Sequence, residues 1–144
     1  MKIKPLNAIE KSIKDYVVNA CGLTYSVHYT GTHNRGTHNR DNWTCDGWLF
    51  TIKGHTFDYF TGFGHRDKSA KPQTPPIAGV LYSLIWDGSA CSESFASWCD
   101  NFGLDTDSRK ALKIYEQCQE GFDKLLKVFT TAQIEHITGL LENY

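Results

Sequence analysis

The chain has no apolar run near the ~20 residues of a membrane-spanning helix. Its opening residues, Met1-Lys2-Ile3-Lys4-Pro5-Leu6, lack the apolar stretch of a secretory signal. Paired cysteine motifs are missing too. The five cysteines (Cys21, Cys45, Cys91, Cys99 and Cys118) are odd in number and widely spaced, with no Cys-x-x-Cys of the kind that zinc ribbons and redox sites need. These absences lead us to expect a cytosolic protein with buried free thiols. No His-Glu-x-x-His, Gly-x-Ser-x-Gly or P-loop pattern occurs. Gly62-Phe63-Gly64 is a Gly-x-Gly without a following helix, and Asp105-Thr106-Asp107 is too short for a calcium loop. No catalytic residue, metal or cofactor is therefore expected. The function classes left are those that work by binding.

What is present suits one globular domain. A chain of 144 residues that is 40% hydrophobic and 22% charged can bury roughly 70% of its unfolded surface. The net charge of −1 is unevenly spread: residues 1–72 carry ten Lys/Arg against six Asp/Glu and five of the six histidines, whereas residues 73–144 carry five against ten. Such polarity suits a basic face for nucleic acid or an acidic face for a basic partner.

Periodicity predicts α+β architecture: an N-terminal helix, a three-stranded antiparallel meander, then a four-helix C-terminal half packed as one domain (1–61, the α-β-β-β part; 62–76, a loop; 77–144, the helical part). Asn7-Ala8-Ile9-Glu10 has the form of a capping box, and Ile9, Ile13, Tyr16 and Val17 follow at helical spacing until Cys21-Gly22. Tyr25, Val27 and Tyr29 alternate with polar residues, as do Trp48, Phe50 and Ile52, then Phe57 and Tyr59 beyond a Lys53-Gly54 turn. Trp43 and Cys45 fall on the parity opposite to Trp48, so Gly47 is read as a bulge that resets the face.

The helical half shows four apolar stripes. They are Ile77, Val80, Leu81, Leu84 and Ile85 after Pro76; Phe95, Trp98, Cys99 and Phe102 between a Ser94 cap and Gly103; Leu112 (or Ala111), Tyr115, Cys118, Phe122, Leu125 and Phe129 from near Thr106-Asp107; and Ile134, Ile137 and Leu141 after the capping box Thr130-Thr131-Ala132-Gln133. Gly121 inside the third stripe suggests close packing or a kink.

Gly31-Thr32-His33-Asn34-Arg35 is repeated at once as Gly36-Thr37-His38-Asn39-Arg40. With no apolar residue, the tandem reads as a solvated loop at the tip of the first hairpin. Doubling it costs on the order of 0.6 kcal/mol in closure entropy, so a fold tolerates it. A second basic run follows the third strand, with His65, Arg66, Lys68 and Lys71 beside Phe63. The candidate binding residues are therefore Arg35, His38, Arg40, His65, Arg66, Lys68 and Lys71, with Lys53 able to extend the surface. Arg and Lys on phosphates, with aromatic stacking, is the usual means of holding nucleic acid.

Other groupings carry less. A strand hairpin could gather several of His28, His33, His38, His55 and His65 into a metal site, or pair Cys45 with His55 as a nucleophile. Any chain with five cysteines and six histidines offers such pairs. The order α-β-β-β-α is also that of the double-stranded-RNA-binding domain, which reads A-form shape with its first helix, the loop between its first two strands and the start of the next helix. Here that next helix begins Pro75-Pro76-Ile77, with no lysine cluster. Acidic residues from Asp100 to Asp123 suit helix capping and a solvated face, with a negatively charged decoy surface as the functional alternative.

Ser94–Ser108, continuing through Lys110–Cys118, together with Phe57–Arg66, resembles small accessory proteins encoded in phage and prophage genomes. That resemblance brings no catalytic residue. It implies a protein made in the cytoplasm of a host bacterium that binds and blocks a defence complex, CRISPR effectors included. The partner would be a host protein or ribonucleoprotein, with nucleic acid contacted through the basic loops. Phe95, Trp98, Cys99, Ala111, Leu112 and Tyr115 would pack that helical segment. The doubled pentapeptide departs from what the resemblance leads one to expect, and no oligomeric state is implied.

Overall fold

The structure, a computed structural model, describes residues 6–34, 44–64 and 74–142. The chain has the expected α+β order: α1 (Leu6–Asp15), a π-helical turn (Tyr16–Ala20), β1 (Tyr25–Asn34), β2 (Thr44–Ile52), β3 (His55–Gly64), α2 (Ile77–Asp87), α3 (Ser89–Ser92), α4 (Phe95–Phe102), α5 (Arg109–Val128) and α6 (Thr131–Leu141). It resolves into two compact units, Gly22–Pro76 and a helical unit of Met1–Cys21 with Ile77–Tyr144. This grouping differs from the sequential parts 1–61, 62–76 and 77–144: the N-terminal helix belongs with the later helices, not with the strands.

The strand unit is an antiparallel sheet in the order β1-β2-β3. Its register places Val27, Phe50 and Phe57 in one row and Tyr29, Trp48 and Tyr59 in the next. Directly opposed residues share a face, so one face is aromatic and aliphatic while the other carries Ser26, His28, Thr51, Thr56 and Asp58. Trp48, Phe50, Ile52 and Phe57 are buried. Lys53 (φ 51°) and Gly54 (φ 79°) both turn left-handed, the requirement of a two-residue hairpin whose twist matches the strands.

Two bulges lie toward the other end of the sheet. The β1–β2 register shifts between Tyr29 and Gly31, and the β2–β3 register between Thr44 and Asp46. The extra residues sit on β1 and β3, so β2 keeps its alternation and Gly47 does not reset its face. Asp46 thus stays on the Trp48 side, where it is only 7% exposed and its Oδ1 accepts the Tyr29 hydroxyl at 2.9 Å.

Gly31–Asn34, four residues of the first pentapeptide, extend β1 and pair with Gly47–Thr44. The tandem is therefore not wholly a loop. Backbone pairing with β2 supplies what the apolar-free sequence does not signal. Gly31 takes φ 109° at the bulge, where a side chain would be strained.

In the helical unit Ile9, Ile13 and Val17 are buried, as are Ile77, Val80, Leu81 and Leu84 of α2 and Ile134, Ile137 and Leu141 of α6. The Tyr16–Ala20 turn is closed by Cys21 N–H donating to the Tyr16 carbonyl. Ser94 caps α4 by accepting from Ser97 N–H, and Thr130 and Gln133 form the reciprocal capping box of α6. α5 starts at Arg109, capped by Ser108, a little later than the Thr106-Asp107 start. There Asp105 instead accepts from Asp107 N–H in a local turn.

Two local expectations change and one open choice is decided. α3 is an added turn between α2 and α4. Ala111 faces the core and Leu112 is 41% exposed, and Phe102 is exposed although its ring meets Trp98 at 5.2 Å. The buried cluster of the α3–α5 region comprises Ala90, Trp98, Cys99, Ala111 and Tyr115, with Phe95 and Cys118 against it. Tyr115 donates its hydroxyl to the Glu93 carbonyl at 2.6 Å.

The capping box read at Asn7–Glu10 is corrected. The helix already includes Asn7, whose Oδ1 accepts from Ala8 N–H rather than from the backbone of Glu10. The Glu10 carboxylate instead receives Ile77 N–H at 3.0 Å and Ala78 N–H at 2.8 Å. A carboxylate on the two leading donors of α2 opposes the positive end of its dipole and satisfies N–H groups that have no intrahelical partner.

Candidate functional site

Arg35, His38, Arg40, His65, Arg66, Lys68 and Lys71 all lie outside the described residues. What the structure does place is where their segments leave the sheet. Asn34 pairs with Thr44, and Thr44 pairs with Gly64. These three residues form one row at one end of the sheet, so segments 35–43 and 65–73 both depart from that end. With strands about 4.8 Å apart, the exits at Asn34 and Gly64 are separated by roughly 10 Å. Five of the six Lys/Arg residues of 22–76 fall in those two segments.

The sixth, Lys53, is not part of that surface. It sits in the opposite hairpin turn, and the nine residues of β2 put it roughly 27 Å away at the usual rise per residue. The tandem repeat and the second basic run share an anchorage; the turn lysine does not. The root carries both bulges and the half-buried Tyr29–Asp46 hydrogen bond. Trp48 lies beside this bond, its ring 4.9 Å from that of Tyr29, and its buried indole N–H has no hydrogen-bond partner among the described residues.

His28 and His55 are not brought together, nor are Cys45 and His55, while His38 and His65 lie outside the described residues. His28 lies on the polar face, paired with Leu49, whereas His55 pairs with Ile52 on the apolar face. Cys45 has His33 as its Cα partner and is seven register positions from the Ile52–His55 pair. Among the described residues no group of three or more His, Cys, Asp or Glu could hold a metal ion.

Four thiols, Cys21, Cys91, Cys99 and Cys118, are shifted toward their protonated form. Cys21, Cys91, Cys99 and Cys118 are free; only Cys99 is fully buried and Cys91 is exposed, so the expectation of buried thiols holds for one of these four. Burial first, then the Asp87 carboxylate, push Cys118 up to about 11. Burial likewise raises Asp87, against the hydrogen bond from Cys118 that lowers it. Cys91 is raised by burial and by Asp123. An activated nucleophile needs the opposite shift.

At the start of α2, a contact region in the RNA-binding-domain order, two N–H donors are already occupied. The Ile77 and Ala78 N–H groups are taken by Glu10. The order of elements matches that domain, but here a carboxylate of this chain occupies the leading donors of that helix.

A second feature, missed in the sequence reading, lies in the helical unit. Tyr82, Ile85 and Trp86 of α2, Ser89 of α3, Thr138 and Leu141 of α6, and Glu142 line a cavity of about 340 Å³. Tyr82 and Trp86 are 43% and 60% exposed, with their rings 13° from parallel. The signal was two aromatics spaced i, i+4 off the buried stripe of α2. Apolar residues usually explain a helix by its inward face, and these point outward.

No helix among the described residues is long and apolar enough to cross a membrane. Comparison with known protein families, curated proteins and solved structures finds no match to this chain.

Proposed function

We propose that this chain acts by binding rather than catalysis, and that its contact surface is the end of the sheet from which residues 35–43 and 65–73 depart. The row Asn34–Thr44–Gly64 carries this reading, because it anchors both basic segments at one edge. Arg35, Arg40, Arg66, Lys68 and Lys71, with His38 and His65, supply charge for a phosphate backbone. The partner that fits is a nucleic acid, either free or within a host ribonucleoprotein. In the second form the chain is a phage-encoded inhibitor that occludes a defence complex in the bacterial cytoplasm, as its resemblance to phage accessory proteins suggests.

Binding is tested by retention on duplex RNA, duplex DNA and single strands across a salt series. Retention should fall steeply with salt, and the triple change Arg35→Glu, Arg40→Glu, Arg66→Glu should abolish it; each lost phosphate contact lowers the log–log salt slope by about 0.9 on duplex DNA. Co-purification of the host complex, with rescue of phage plaques, separates inhibition from free nucleic-acid binding. No retention on any nucleic acid or nucleoprotein, or retention indifferent to the triple change, overturns the reading.

A further inference from the structure

We propose that the groove between α2 and α6 is a binding site for an arginine side chain presented by a protein partner. The spacing that builds it is helical on both walls. Tyr82, Ile85 and Trp86 stand at i, i+3, i+4 on α2; Thr138, Leu141 and Glu142 stand at the same spacing along α6 and its C-cap. Ile85 and Leu141 make the floor apolar.

Three observations choose the occupant. Among the described residues Glu142 is the one charged residue lining the groove, and no Lys or Arg of them lines it. The neighbouring walls are exposed aromatic rings, and an electron-rich ring face beside a carboxylate attracts an organic cation. The two ring planes lie within 13° of each other. The rings stack on one another with centroids 6.4 Å apart, and a flat guanidinium adds to such a stack from outside through its plane while its N–H fork reaches a carboxylate; a compact ammonium does neither. The volume of about 340 Å³ lies at the lower end of ligand sites, enough for a side chain and its stem rather than a folded element.

This site lies in the helical unit, apart from the basic sheet end, and its test does not depend on nucleic acid. The full chain is titrated with N-acetyl-Gly-Arg-Gly amide while the Trp86 indole N–H resonance is followed by NMR. The same peptide with citrulline, a neutral isostere of arginine, is the control. Saturable shifts at Trp86 are expected with the arginine peptide, and binding about tenfold weaker or more with citrulline. Trp86→Ala should remove binding (followed on the Ser89 and Thr138 amides), and Glu142→Gln should weaken it severalfold. Both side chains are exposed, and an unchanged melting temperature confirms that each variant folds. Absence of saturation, equal affinity for citrulline, or full retention in Trp86→Ala overturns the proposal.

Discussion

Glu10 and Ile77 are joined across 67 residues of chain, the carboxylate Oε1 of one accepting the backbone N–H of the other at 3.0 Å. With Ala78 N–H on Oε2, one side chain of α1 terminates α2. This ties the first helix to the C-terminal helices and occupies the leading donors of α2.

Glu10→Ala should lower stability by about 1–2 kcal/mol, the scale of a lost N-terminal cap with its dipole interaction. Glu10→Gln keeps one acceptor and should cost less. Urea denaturation of both variants tests this; an Ala variant as stable as the parent would show that solvent caps α2 equally well.

Gly121 within α5 and Gly88, which packs against Phe122 of α5, should respond with opposite signs. A Cβ on Gly121 would meet only Leu84 Cδ2 at 3.6 Å, an ordinary contact. Gly121→Ala should therefore stabilise by up to about 1 kcal/mol from helix propensity alone. A Cβ on Gly88 would sit 2.9 Å from the Ile85 carbonyl oxygen and from a ring carbon of Phe122. Gly88→Ala should lower the melting temperature. Similar shifts for the two variants would contradict the packing described.

Deleting one pentapeptide copy leaves a Gly-Thr-His-Asn sequence to occupy β1 and shortens the connection after Asn34. The stability change should stay under about 1 kcal/mol, because closure entropy varies slowly with length. Retention on nucleic acid should fall, since one Arg and one His leave the proposed surface. Unchanged retention would mean that the second copy makes no contact.

Cys118 sets an alkaline limit. Its thiol is raised by burial and by Asp87, so the folded chain favours the protonated form. That contribution is complete below the free-thiol range near pH 8.5 and is lost as pH rises through it toward about 11. The urea midpoint should fall between about pH 8 and pH 10.5, and fall less in Cys118→Ala. Alkylation below that range should label Cys91 well before Cys118. Equal labelling rates would contradict the assigned environment.

How legible each element was depended on how local its cause is. Ser94 and the Thr130–Gln133 box read correctly because a cap bonds its own first turn. The Lys53-Gly54 turn read correctly because two left-handed residues decide a hairpin. Glu10 misled, since the same Asn-x-x-Glu spacing serves a local box or a distant helix equally. Ala111 against Leu112 was left open by period alone, because neighbouring positions differ by only 100° around a helix. For the candidate surface, the residue types were visible, but their common anchorage depends on strand register.

Composition, periodicity and caps thus determined the α+β order, most of the buried stripe residues and the uneven distribution of charge, all of which follow from interactions within a few residues. Tertiary structure decided the rest. It drew four residues of the doubled pentapeptide into β1 and set the exits of the two basic segments in one row, at Asn34 and Gly64 on either side of Thr44. These outcomes rest on backbone pairing between strands, which any side chain can accompany and which therefore leaves little trace in the order of residues.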